Sequence, residues 1–86
     1  MQDIVKQTHK LLIRKKMTIA VAESCSGGLL SSMLTRYSGS SAYFLSGAVV
    51  YSNKAKRDML KIPAKLIDSH GAVSKQVAIA MAANVR

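Results

Sequence analysis

A chain of 86 residues, 49% of them hydrophobic, makes one small globular domain spanning residues 1–86 and excludes a disordered polymer. Thirteen Lys plus Arg against four Asp plus Glu give a formal charge of +9 and an interest in anions, but the aromatic residues Tyr37, Tyr43, Phe44 and Tyr51 do not interleave with the basic ones, which argues against specific nucleic-acid recognition. The single cysteine, Cys25, excludes an internal disulfide and favours a reducing, cytoplasmic setting; no apolar run reaches membrane-spanning length, so no membrane partner is expected.

Residues 3–16 predict a helix, with Ile4, Leu11 and Leu12 at helical spacing and Val5 and Ile13 at the margins of that stripe. Asp3 suits its start and Arg14, Lys15 and Lys16 its end, given the helix dipole. Lys6, Lys10 and Arg14 follow one another at i, i+4 and i+8, the spacing of a solvated face, and His9 is expected at the helix surface too. A basic surface of this kind also attracts a phosphorylated small molecule.

Residues 17–21 form a short β-branched run, a strand, and residues 26–36 carry the apolar stripe of a helix. Ser38, Gly39, Ser40 and Ser41 make a loop. Residues 45–51 predict a second strand in which Gly47 marks a bulge or a close backbone contact. Beyond a cap at Ser52 or Asn53 come a short helix over 54–60, a second from Pro63 to residue 69, a break at Gly71, and a last helix capped by Ser74 and running to residue 85. Strands alternating with helices define an α/β layer fold, here with only two strands.

The junction between first strand and second helix carries the chemistry. Glu23, Ser24, Cys25, Ser26, Gly27 and Gly28 set small residues in a sharp turn, where backbone N–H groups of a helix start face an anion or oxyanion. Ser24 there is either an exposed nucleophile or, with Ser26, an ordinary helix cap. The base available to a serine nucleophile is a lysine from the second junction, Tyr51-Ser52-Asn53-Lys54-Ala55-Lys56. Lys56 has Lys54 and Arg57 as cationic neighbours, and Tyr51 ends the strand where a phenol relays a proton. A solvated basic helix is the plain alternative for that segment. The two histidines and four carboxylates form no ligand cluster, so no metal is expected, and His70 before Gly71 suits a turn.

Taken together, Ala22-Glu23-Ser24-Cys25-Ser26-Gly27-Gly28, Gly39-Ser40-Ser41-Ala42-Tyr43-Phe44, Tyr51-Ser52-Asn53-Lys54-Ala55-Lys56 and Gly71-Ala72-Val73-Ser74 resemble the CinA C-terminal domain family, which includes the nicotinamide mononucleotide deamidases. The resemblance implies a layered α/β/α fold and hydrolysis of the carboxamide of nicotinamide mononucleotide to nicotinate mononucleotide and ammonia. It makes Ser24 the nucleophile, Lys56 its base and Tyr51 an assisting group, puts Ser26, Gly27, Gly28 and Ser41 around the substrate, and implies no cofactor. Ser26 stands where the family usually has threonine, which keeps the hydroxyl.

The resemblance covers the first half of the family domain, so further strands, a substrate loop and a basic residue are expected from elsewhere. Two strands leave apolar residues such as Ala48, Val49 and Val50 without full cover. The last helix is likewise expected to need a partner surface, supplied by self-association or by a second half. A basic nucleic-acid-binding or non-catalytic interaction protein is the rival reading.

Overall fold

The computed structural model describes residues 2–86, with side chains from residue 4 onward; the expected role of Asp3 lies outside the described residues. In order, the elements are α1 (Gln2–Lys15), β1 (Ile19–Glu23), α2 (Leu29–Leu34), a 3-10 turn (Ser40–Ala42), β2 (Phe44–Val49), α3 (Asn53–Leu60), α4 (Ala64–His70) and α5 (Lys75–Val85). The two strands pair in parallel, Ile19 beside Phe44 and Glu23 beside Val49, with one irregularity between Ile19 and Ala20.

Alternation along the strands divides the sheet's faces. Ala22 and Ala48 lie side by side and pack on a core of Val50, Leu60, Ile62, Ile67, Val77 and Met81 contributed by β2's end and α3–α5. Glu23 and Gly47 turn to the other face, where α2 lies and α1 packs on α2. Helices on both faces of the sheet give the layered α/β/α arrangement. The last helix finds its partners within the chain: Val77 and Met81 are buried, α5 packs on β1, α3 and α4, and Asn84 Nδ2 donates to the Leu60 carbonyl at 2.9 Å. Its outer face, with Ile79, remains exposed.

Several local expectations shift. In α1 the inward stripe is Val5, which is buried, with Thr8, His9 and Leu12 half-buried, while Ile4, Leu11 and Ile13 are exposed. The partner of His9 selects that stripe. His9 Nδ1 meets the Tyr43 hydroxyl at 2.8 Å, and that hydroxyl donates to the Leu34 carbonyl at 2.9 Å. Tyr43 has one phenolic proton and gives it to a carbonyl that only accepts, so His9 Nδ1 is the donor in their shared bond. Tyr43 is 1% exposed, and burial raises its phenol above the usual tyrosine range. α2 starts at Leu29 rather than at residue 26 because Gly27 and Gly28 adopt φ of 63° and 107°, which a side-chain-bearing residue rarely takes. β2 lacks full cover, as two strands lead one to expect: Leu45 and Val49 are exposed, whereas Val50 just beyond it is buried. Ser52 and Ser74 cap α3 and α5 as expected, accepting from Ala55 and Val77 N–H.

Gly47 resolves as a close contact. A Cβ at that position would collide with Ser31 Oγ, so β2 approaches α2 where only hydrogen fits. Gly47→Ala is expected to push Ser31 away and destabilise the fold by about 1–3 kcal/mol, the usual cost of overpacking. Urea unfolding checks this; an unchanged midpoint would show that the helix yields freely.

Candidate active site

Parallel strands bring their C-terminal ends to one rim, and in open α/β sheets ligands bind beyond that rim. Here β1 runs into Ser24 and β2 into Tyr51, with Val50 N–H still bonded to the Glu23 carbonyl at 2.8 Å. The two junctions singled out in the sequence are therefore neighbours in space.

The first junction is organised by Glu23, which is 3% exposed. Its Oε1 accepts from Ser26 Oγ and Leu30 N–H, each at 2.8 Å. Its Oε2 accepts from Ser31 Oγ at 2.6 Å and Ser31 N–H at 3.0 Å. One carboxylate thus closes the 24–28 turn and caps α2, placing negative charge at the positive end of the helix. The Ser31 hydroxyl chiefly, then the Ser31 N–H, the Ser26 hydroxyl and the Leu30 N–H, outweigh desolvation and hold its pKa at about 2. Gly28 is the helix's N-cap residue, so neither Ser24 nor Ser26 caps it.

This corrects the expectation of an open anion site at the helix start, because the chain's own carboxylate occupies the Leu30 and Ser31 N–H groups. Gly27 and Leu29 N–H bond within the turn, to the Ser24 and Ser26 carbonyls. Cys25 and Ser26 N–H have no acceptor among the described residues.

The second junction delivers Lys56. Ser52 starts α3, and Lys56 and Leu60, one turn apart, form its buried side. Lys56 is 2% exposed; its Nζ donates to Ser24 Oγ at 3.0 Å and to the Tyr51 carbonyl at 2.9 Å. Lys54 points elsewhere, pairing with Asp58 on the surface, and Arg57 Nε bonds the Asn53 carbonyl. The cationic neighbours expected around Lys56 are thus engaged in contacts of their own.

Other expected site residues separate. The Tyr51 side chain is 70% exposed, and its contribution at Lys56 is a carbonyl rather than a phenol. Ser41 sits in the turn leading into β2, at the N-terminal rim of the sheet, a strand's length or about 15 Å from Ser24's rim. Ser26 and the two glycines are in the turn beside Ser24, with the Ser26 proton committed to Glu23. His70 is an exposed residue at the end of α4. Glu23 is the residue that motif reasoning passed over; the available signal was a carboxylate closing an apolar strand directly before a Ser-Gly turn.

Ser24 and Cys25 border a groove of about 450 Å³ along the open edge of β1, walled by Leu30 on one side and by Ala78, Met81 and Val85 of α5 on the other. Its size is that of a small-ligand site. Among the described residues no three His, Cys, Asp or Glu side chains gather as metal ligands, and no helix is long and apolar enough to cross a membrane.

The fold is an α/β layer with a buried lysine hydrogen-bonded to a serine at the C-terminal rim of its parallel strands. The family model for the CinA C-terminal domain matches residues 1–86, and the chain belongs to that family. A CinA-like protein of Citrifermentans bemidjiense is 56% identical over 77 residues, covering 88% of this chain and 19% of that protein. One from Koribacter versatilis is 58% identical over 69 residues, 80% of this chain and 17% of its own length. Among solved structures, the competence/damage inducible protein CihA of Agrobacterium tumefaciens superposes with a TM-score of 0.93 at 37% identity, over 98% of this chain and 51% of that one. The competence damage-inducible protein A of Klebsiella pneumoniae gives 0.94 at 28%, over 98% and 52%. The chain spans about half the length of these solved relatives and about a fifth of the curated ones.

The Glu23 clamp carries a pH signature. A carboxyl held at about 2 when folded, against about 4.3 in an unfolded chain, contributes stability that is fully present above the unfolded value and is lost as pH falls toward 2. Melting temperature is expected to drop from pH 5 to pH 2, and Glu23→Gln to melt lower at pH 7 with a flatter profile over that window. Parallel profiles for the two proteins would remove Glu23 as the cause.

Proposed function

We propose that the chain carries the catalytic pair of a nicotinamide-nucleotide amidohydrolase, converting nicotinamide mononucleotide to nicotinate mononucleotide and ammonia. The observation that supports this most is the 3.0 Å contact between Lys56 Nζ and Ser24 Oγ. With the amine neutral, that contact carries the serine proton to nitrogen. Ser24 Oγ then bonds to the carboxamide carbon, and Cys25 and Ser26 N–H stand beside the serine as donors for the oxyanion. Lys56 returns its proton to the amide nitrogen, the C–N bond breaks and ammonia leaves. Water attacks the acyl-serine, Lys56 takes its proton and passes it to Ser24 Oγ, and the carboxylic acid is released.

In this reading the Tyr51 carbonyl aims the lysine, Ser26 acts through Glu23, Gly27 and Gly28 shape the turn, and neither metal nor cofactor takes part. The setting is cytoplasmic, in keeping with the free thiol of Cys25. Leu45 and Val49 of β2 and Tyr51 just beyond it are exposed, and a second polypeptide surface, from another copy or from a complementing half, covers them. Substrate holding depends on that surface, so turnover by this chain alone is low. Sedimentation equilibrium is expected to show self-association; a strict monomer with full turnover would remove the need for a partner.

The dyad is tested by ammonia release and, independently of substrate holding, by acylation with p-nitrophenyl acetate located by mass spectrometry. Ser24→Ala and Lys56→Ala are each expected to lower the Ser24-dependent rate by roughly a thousandfold or more, Lys54→Ala by less than about twofold. Equal losses from the two lysine variants would sink the assignment of Lys56.

A further inference from the structure

The basic face of α1 borders a second, open hollow of about 510 Å³ that the serine–lysine site does not use. One wall is Lys6, Lys10 and Arg14, one helical turn apart and spread along about 12 Å of helix. The facing wall is Tyr37 and Ser38, from the segment after α2, with His9 between the walls. Helical geometry explains the placement: turning Val5 and His9 inward leaves positions 6, 10 and 14 on the outer flank.

Two features separate this hollow from an ordinary solvated helix face. Among the described residues Lys6, Lys10 and Arg14 make no ion pair: Asp58 pairs with Lys54, Glu23 is consumed by Ser26, Leu30 and Ser31, and Asp68 lies on α4. The rings, moreover, are held in place. His9 is fixed by the buried Tyr43 hydroxyl, and the Tyr37 ring lies against it, centroids 5.5 Å apart at 48°. With Nδ1 committed as a donor to Tyr43, Nε2 is the His9 nitrogen left to meet a ligand. Pre-ordered aromatic walls beside a row of cations that make no ion pair among the described residues suit a ligand that combines a flat ring with several negative charges.

The geometry points to a binding site for a nucleoside polyphosphate, its phosphates on Lys6, Lys10 and Arg14 and its base against the Tyr37–His9 wall. The volume is that of a mononucleotide-sized site. A hollow between a helix and a loop admits a compact ligand better than a duplex, which needs a long open stripe.

Calorimetry on the full chain at physiological salt tests the site with adenosine triphosphate, inorganic tripolyphosphate, adenosine and a single-stranded oligonucleotide. Saturable one-to-one binding of adenosine triphosphate is expected, at least fivefold tighter than tripolyphosphate because the base contributes. Lys10→Ala and Arg14→Ala, both at exposed positions of α1, are each expected to weaken it about five- to tenfold, and Lys65→Ala on α4 to leave it unchanged. Ser24→Ala is also expected to bind normally, which keeps this result apart from the fate of the dyad. No binding, equal affinity for tripolyphosphate, undiminished binding by the two α1 variants, or tighter binding of the oligonucleotide through the same lysines would each overturn the proposal.

Discussion

A single carboxylate, Glu23, joins the end of a strand to the start of a helix and thereby sets the position of everything at the rim. It takes four hydrogen bonds from three residues, two from backbone and two from hydroxyls. Buried charge is tolerated only when its lone pairs are satisfied, and here they are. α2 is six residues long, too short to hold itself together, and its N-terminus has no side-chain cap of the ordinary kind. Glu23 supplies that cap from the strand. Ser24, the next residue, inherits its place from this clamp, and Gly47 permits it by letting Ser31 approach β2.

The same rim shows how a parallel sheet assembles a site from remote segments. Ser24 and Lys56 are 32 residues apart, and two pairings bring them together: β1 with β2, and α3 against the core through Leu60. Val50, wholly buried, anchors the end of β2 so that α3 starts at a fixed point. Lys56 then reaches the serine from inside the protein while Lys54, half a turn earlier, faces solvent and Asp58. Helical phase alone separates a lysine buried against Ser24 from one paired with Asp58 at the surface.

Charge and chemistry occupy different parts of the molecule. The rim buries one lysine among neutral oxygens, whereas α1 displays a row of cations beside a fixed aromatic wall. The buried Tyr43 connects α1 to α2 through His9 and the Leu34 carbonyl, so the helix bearing the positive face is locked to the layer that Glu23 organises. The +9 charge is thus locally arranged and carries meaning by position rather than by sum.

By itself the sequence determined the order of helices and strands, the serine caps of α3 and α5, the break at Gly71 and the two strand-to-helix junctions, because these depend on neighbours within a few residues. Its four motifs also pointed to the family the chain belongs to. Tertiary structure decided what depends on distant partners. It put His9 on Tyr43 and so rotated the buried stripe of α1 away from Ile4 and Leu11. It gave the helix-start N–H groups to Glu23 instead of to a ligand, since a buried carboxylate at the end of β1 outcompetes solvent for them. It set Lys56 on Ser24 and Lys54 on Asp58, turned the Tyr51 carbonyl to Lys56 while leaving its side chain exposed, and placed Ser41 at the opposite rim. Side-chain direction and strand polarity are properties of the packed molecule, and local sequence carries only the residues from which packing selects.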